Sequence, residues 1–136
     1  MHTREVRTYE LPYPPSVNHY WRRLRNLTLI SREGRRFRAR VQAILAAQRA
    51  TPMQGNLGVT IYVYPPDGRR RDLDNVLKAL LDALEKGGAY ENDNQIAELA
   101  VNRAEVVPDG RILVQIVTLS PGHRTAPVPG SEEDYR

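Results

Sequence analysis

Three carboxylates and a lysine carry the chemistry in this chain. Asp72, Asp74 and Lys78 lie within Arg69-Arg70-Arg71-Asp72-Leu73-Asp74-Asn75-Val76-Leu77-Lys78, and Asp93 lies within Glu91-Asn92-Asp93-Asn94-Gln95. Hard oxygen ligands of this kind suit Mg2+, which keeps several waters and completes its shell with substrate phosphate oxygens. Such an ion lowers the pKa of bound water and stabilises charge on a phosphodiester in the transition state. Lys78 would balance the carboxylates, orient the water or stabilise the pentavalent phosphorus. Arg69, Arg70 and Arg71 would hold the flanking backbone. Asp72 and Asp74 can converge only under one condition. On a regular helix, residues two apart diverge by about 200°, so Asp72 must precede the helix and Asp74 must sit in its first turn. That arrangement also puts Asp74 and Lys78 on one face, at i and i+4. Helix capping explains one aspartate, but not two beside three consecutive arginines.

Other chemistries find less support. The chain has no Cys, which excludes a thiolate nucleophile, a disulfide framework and a Cys-built zinc site. His2, His19 and His123 are scattered. G-x-S-x-G, P-loop and G-x-G-x-x-G motifs are absent, and no small-molecule cofactor is expected. Charge points instead to a polyanion. Eighteen of the 20 basic residues are Arg, and residues 1–71 hold 14 basic and 4 acidic residues, a balance of +10. Residues 72–136 hold 6 basic and 12 acidic, a balance of −6, so the net +4 conceals a strongly basic half. A second DNA-contact set is Asn18, Tyr20, Trp21 and the run Arg22, Arg23 and Arg25, which joins stacking surface to cations. The alternative is that Tyr20 and Trp21 pack over the edge of the core.

These residues need elements to position them. Val6–Leu11 has strand character and ends at Pro12. Ser16–Leu29 shows no clean period and reads as a long loop. Ser31 can cap a helix running to about Ala50, with Phe37, Val41, Ile44 and Leu45 as its apolar stripe. Val59, Ile61 and Val63 alternate with Thr60, Tyr62 and Tyr64 as a strand. A second helix is predicted from about Asp72 to Lys86, stopped by Gly87-Gly88. Ile96–Val106 and Arg111–Leu119 read as strands joined in a hairpin at Pro108-Asp109-Gly110. The expected fold is α+β, in the order β-α-β-α-β-β: a small mixed sheet with two helices on one face. Its exposed edges would be covered by dimerisation. One domain is expected over residues 1–120, followed by a disordered acidic tail over 121–136. No apolar run approaches the roughly 20 residues of a membrane helix, and the N-terminus lacks the core of a signal peptide. A cytoplasmic protein without membrane contact is expected.

Three segments carry a family resemblance. Leu11-Pro12-Tyr13-Pro14-Pro15-Ser16-Val17-Asn18-His19-Tyr20-Trp21 resembles the N-terminal signature of RusA-type Holliday junction resolvases. Arg71-Asp72-Leu73-Asp74-Asn75, with Lys78, is similar to that family's central motif, and Asn92-Asp93-Asn94-Gln95-Ile96 to its following acidic motif. The resemblance covers roughly residues 6–119. It implies a Mg2+-dependent endonuclease, with Mn2+ as a substitute, acting as a homodimer on four-way DNA junctions by paired symmetric nicks. By the same resemblance Asp72, Asp74 and Asp93 correspond to the metal-binding carboxylates, and Lys78 to the catalytic lysine. Two readings remain beside it. One is a catalytically silent nucleic-acid-binding module whose aspartates cap and pair with the arginines. The other is a nuclease for flaps, forks or RNA.

Overall fold

The alternation predicted for Val59, Ile61 and Val63 builds the strand at the centre of the protein. The computed structural model describes residues 4–120. The elements run in the order β1 (Val6–Leu11), α1 (Val17–Tyr20), β2 (Trp21–Leu24), β3 (Leu27–Ile30), α2 (Arg32–Ala47), β4 (Leu57–Tyr64) and α3 (Asp74–Lys86). A 3-10 turn (Asp93–Gln95), β5 (Ile96–Arg103) and β6 (Arg111–Thr118) complete them. Four strands form one mixed sheet in the order β1-β6-β4-β5. β5 runs parallel to β4, while β6 is antiparallel to both β4 and β1. Leu57, Val59, Ile61 and Val63 of β4, Ile112, Val114 and Ile116 of β6, and Tyr9 and Leu11 of β1 are buried together with the apolar stripes of α2 and α3. The expected α+β class and the placement of the two long helices over one face of the sheet are therefore correct.

Ser31 caps α2 as its position predicts. Its Oγ accepts the Gly34 N–H at 2.9 Å and donates to the carbonyl of Tyr20 at 2.9 Å, so one hydroxyl ties α2 to the end of α1. The helix ends at Ala47 rather than Ala50, because Arg49 turns to φ 54°. α3 begins at Asp74, two residues later than predicted, and Gly88 (φ 91°) lies just past its end.

Two predicted features are corrected. The segment 16–29 is not a loop: it forms the single turn α1 and a two-stranded hairpin, β2 with β3. Its strands leave Leu24, Leu27 and Leu29 exposed, so no buried-versus-exposed alternation marked them. The Pro108-Asp109-Gly110 turn does not join a hairpin either, since β4 lies between β5 and β6. The turn closes with Gly110 N–H donating to Val107 O at 2.9 Å and Asp109 at φ 68°. Pro in second place and a left-handed third residue make a type II geometry, which splays flanking strands rather than pairing them. The connection instead steps over the end of β4, with Ala104 N–H on Val63 O and Val107 N–H on Pro65 O. β5 is parallel to β4 because α3 supplies the crossover that a parallel pair requires. The predicted acidic tail, 121–136, lies outside the described residues.

A polar knot joins the three helices under the core. The Tyr20 hydroxyl donates to Asp82, which also takes the Arg38 guanidinium at 2.6 Å. Burial, and after it the hydrogen bond to Asp82, pushes the Tyr20 phenol up to about 12. An unfolded tyrosine ionises near 10. Between those values the unfolded chain has released a proton that the folded chain keeps, so stability falls as pH rises through this window. Urea unfolding midpoints should therefore drop from pH 10 to 12, with a shallower drop in Tyr20→Phe. Burial also raises the Tyr90 and Tyr13 phenols, which account for the part of the slope that remains. An unchanged slope in Tyr20→Phe would assign the limb to other groups.

Candidate active site

The site forms where β4 feeds α3. Pro65 and Pro66 end the strand, and Asp67 organises the loop between strand and helix. Its carboxylate takes both arms of the Arg71 guanidinium, at 2.6 and 3.0 Å, and the Arg69 backbone N–H at 2.9 Å. The Arg71 contact, then the Arg69 N–H, holds the Asp67 carboxyl well below the usual carboxylate range. The Arg71 carbonyl accepts Arg103 Nη2 at 2.6 Å, which pins the residue before Asp72 to the end of β5. Arg71 is thus a clamp inside the loop, whereas Arg69 touches Asp67 only loosely, through Nε at 3.4 Å, and both it and Arg70 are exposed.

Asp72 stands outside the helix and Asp74 in its first turn, the arrangement that convergence requires. Leu73 is the cap residue (φ −61°, ψ −33°), and Asn75 N–H on Asp72 O (3.2 Å) and Val76 N–H on Leu73 O (3.4 Å) tighten the opening turn. Lys78 lies one turn on. Asp72, Asp74 and Lys78 are exposed, and their side chains have no hydrogen bond or ion pair among the described residues. This sets them apart from Asp67 and Asp82, whose carboxylates are engaged in holding the fold.

Beside these acids lies a cleft of about 330 Å³, lined by Tyr13, Ser16, His19, Arg69–Arg71, Asn75 and Val76. The proline-rich N-terminal motif and the arginine–aspartate motif, distant in sequence, share its walls. A second cleft of about 300 Å³ uses Arg69–Arg71 from the other side, with Arg103 and Glu105. Sequence reasoning did not assign Tyr13, His19 or Asn75, although all three sit inside the quoted motifs. Tyr13 is held from behind: a Cβ on Gly110 (φ 70°) would lie 2.9 Å from its ring. His19 Nδ1 pairs with Ser16 Oγ at 2.9 Å.

The second DNA-contact set divides. Asn18, Arg22 and Arg23 are exposed. Tyr20 is 0% exposed, with its hydroxyl committed to Asp82, so it offers no face to a base. Trp21 is half-buried, edge-on to Tyr20 at 4.9 Å, and its indole N–H is buried without a partner among the described residues. The packing alternative describes Tyr20.

Asp93 is not brought to Asp72 and Asp74. Its backbone N–H donates to Glu85 Oε1 at 2.9 Å, at the far end of α3. Ile96, just after it, pairs with Leu57 at the start of β4, whereas Arg103 and the Arg71 loop lie at the other end of that strand pair. Among the described residues no three His, Cys, Asp or Glu side chains are grouped to hold a metal. Mg2+ binds through one or two carboxylates plus water and phosphate oxygens, so Asp72 and Asp74 fit a hard cation as a pair. The three-carboxylate set does not form within one chain.

The family model for endodeoxyribonuclease RusA matches residues 12–117. The chain belongs to the RusA endodeoxyribonuclease family. A crossover junction endodeoxyribonuclease RusA from Enterobacteria phage HK97 is 41% identical over 112 residues, 82% of this chain and 93% of that one. The proteins of the same name from Shigella sonnei and from Escherichia coli K12 are 39% and 38% identical over 114 residues, each covering 80% of this chain and 92% of its relative. The RusA match takes in both clefts and all four residues of the proposed chemistry. No helix among the described residues is long and apolar enough to cross a membrane.

Proposed function

We propose that this protein is a Mg2+-dependent, cytoplasmic endonuclease that resolves four-way DNA junctions as a homodimer, by paired symmetric nicks. The observation that carries the proposal is the set of Asp72, Asp74 and Lys78, unpaired among the described residues, beside an arginine-walled cleft, in a family whose relatives are named crossover junction endodeoxyribonucleases. Asp72 and Asp74 would hold the cation, with Mn2+ as a substitute. When bound, such an ion supplies activated water and charge neutralisation at the phosphodiester. Lys78 projects from the same end of α3 and adds positive charge where the pentavalent phosphorus carries most negative charge. Arg69 and Arg70 grip phosphates on either side of the scissile bond, and the Asp67–Arg71 clamp keeps that loop from collapsing onto the acids. Two equivalent cuts on a pseudo-symmetric junction call for two equivalent centres, which a twofold dimer supplies.

The silent binding module is disfavoured by one contact. That reading pairs Asp72 and Asp74 with the arginines, yet the acid that clamps Arg69 and Arg71 is Asp67. The test is nicking of a synthetic four-way junction beside linear duplex of the same sequence, with and without Mg2+. Paired, Mg2+-dependent nicks confined to the junction are expected. Retarded junctions left uncut in both Mg2+ and Mn2+ would return Asp72 and Asp74 to helix capping. Equal cutting of flaps or forks would widen the substrate class.

A further inference from the structure

We infer that the outer face of the β2–β3 hairpin, led by Leu24 and Leu27, is an apolar wedge that enters the branch point of a DNA junction between unstacked bases. The inference rests on the proposed junction substrate and adds to it the residues that tell a branch from linear duplex.

The hairpin is patterned inside out. Strand side chains alternate between two faces, and the pairs are Trp21↔Ile30, Arg22↔Leu29, Arg23↔Thr28 and Leu24↔Leu27. Trp21, Arg23, Thr28 and Ile30 therefore share one face, on which Trp21 and Ile30 pack against the core. Arg22, Leu24, Leu27 and Leu29 share the other. Its three leucines, in chain order, are 47%, 62% and 42% exposed. Scattered exposed leucines are ordinary, but a contiguous apolar face marks a contact surface. Leu24 and Leu27 flank the two-residue turn Arg25-Asn26, with Arg25 at φ 55°. The tip of the hairpin is thus a pair of adjacent leucines, their Cβ atoms about 5 Å apart.

The root of the hairpin is firm and lies at the cleft. The Tyr20 carbonyl takes both the N–H and the hydroxyl of Ser31 at 2.9 Å, which ties the two ends of the hairpin together. His19, just before the hairpin, lines the cleft with Arg69–Arg71. Four residues of strand carry the tip about 13 Å from that root. The leucines stand on a short arm that starts in the cleft wall.

Charge identifies what they meet. Arg22, Arg23 and Arg25 of the hairpin are exposed, as are Arg32 and Arg36 at the start of α2. None of the five forms an ion pair among the described residues. Between Glu10 and Asp67 the chain holds a single acid, Glu33. A second copy docked face to face would set these arginines against their own copies, and like-charge contacts oppose association. DNA satisfies both halves of the surface. Its phosphates take the arginines, and its base faces take the leucines, since Leu is among the side chains that wedge between base steps. In linear duplex every step is stacked, and insertion must first break that stacking. At a branch point the stacking is already interrupted. The arginines then serve any DNA, while the leucines add affinity only at a branch.

The test places 2-aminopurine, whose fluorescence rises on unstacking, either at the branch point of a four-way junction or within one arm. Binding of the wild-type protein in Ca2+ should raise the signal at the branch point and leave the arm unchanged. The double variant Leu24→Gln/Leu27→Gln should lose that rise. It should also bind the junction at least about tenfold more weakly, and linear duplex as wild type does. Leu24→Met/Leu27→Met keeps the apolar tip and should retain both properties. Arg22→Gln, by contrast, should weaken both DNAs alike and reduce the salt dependence by about one phosphate contact. Wild-type protein that retards the junction with no change in fluorescence overturns the inference and leaves the proposed substrate standing. A Gln double variant with wild-type junction affinity overturns it as well. So does one that keeps the fluorescence rise but sediments as a smaller oligomer than wild type, which would make the leucine face a contact between copies. Wild-type protein that fails to retard the junction overturns the proposed substrate itself.

Discussion

Asp72→Asn and Asp74→Asn should each bind four-way junctions as tightly as wild type or more tightly, and cut them at least about a thousandfold more slowly. Asn keeps the shape of Asp but exchanges an anionic oxygen for an amide, so the site loses a hard ligand and a charge. A metal-bound centre contributes several kcal/mol of transition-state stabilisation, and each 1.36 kcal/mol is a tenfold change in rate. Stability should barely move, because both side chains are exposed and make no hydrogen bond among the described residues; surface changes of this kind stay within about 0.5 kcal/mol. Binding gains from the same change, since a negative charge facing the phosphates is removed. Gel retardation in Ca2+ and nicking in Mg2+ separate the two effects. Wild-type cutting by Asp72→Asn would remove that residue from the metal site. Weakened binding with an early melt would give both acids a structural role instead.

The placement of Asp72 before the second long helix and Asp74 in its first turn was legible because the helix start is marked by its own periodicity. β4, α2 and α3 were legible for the same reason: each has one buried face. The β2–β3 hairpin was not, because its leucines face solvent and leave no alternation to read. Strand order was hidden more deeply. Pro108-Asp109-Gly110 is a true turn, but a turn residue fixes local dihedrals and says nothing about whether its strands become neighbours. Asp93 is the instructive case. The uninterrupted helix between it and Asp74 already places the two at opposite ends of a rod, so element length held the signal that motif spacing obscured. The cleft residues Tyr13 and His19 depend on the segment before α2 folding back against the Arg69–Arg71 loop, a tertiary fact with no local trace.

Gly34→Ala should be among the most destabilising single-methyl changes in the protein, at about 2–4 kcal/mol. Helix propensity alone argues the reverse, since Ala is about 1 kcal/mol better than Gly inside a helix. The neighbours decide the sign. A Cβ at Gly34 would lie 2.4 Å from the Tyr20 carbonyl oxygen and 2.8 Å from Ile30 Cγ1. That carbonyl cannot withdraw freely, because it accepts the Ser31 N–H at 2.9 Å and the Ser31 hydroxyl at 2.9 Å. Making room therefore loosens the cap of α2, costing about another 1 kcal/mol, and displaces α1. The helix α1 carries His19, and Ser16 is its N-cap; both line the cleft beside Asp74, so junction affinity should fall together with stability. Thermal melting of Gly34→Ala against Ala43→Gly, an exposed position of α2, tests the argument with the propensity effect reversed. Gly34→Ala should melt about 10 °C below wild type and lower than Ala43→Gly. A Gly34→Ala protein melting at or above wild type would mean that α1 packs on α2 with more freedom than these contacts allow.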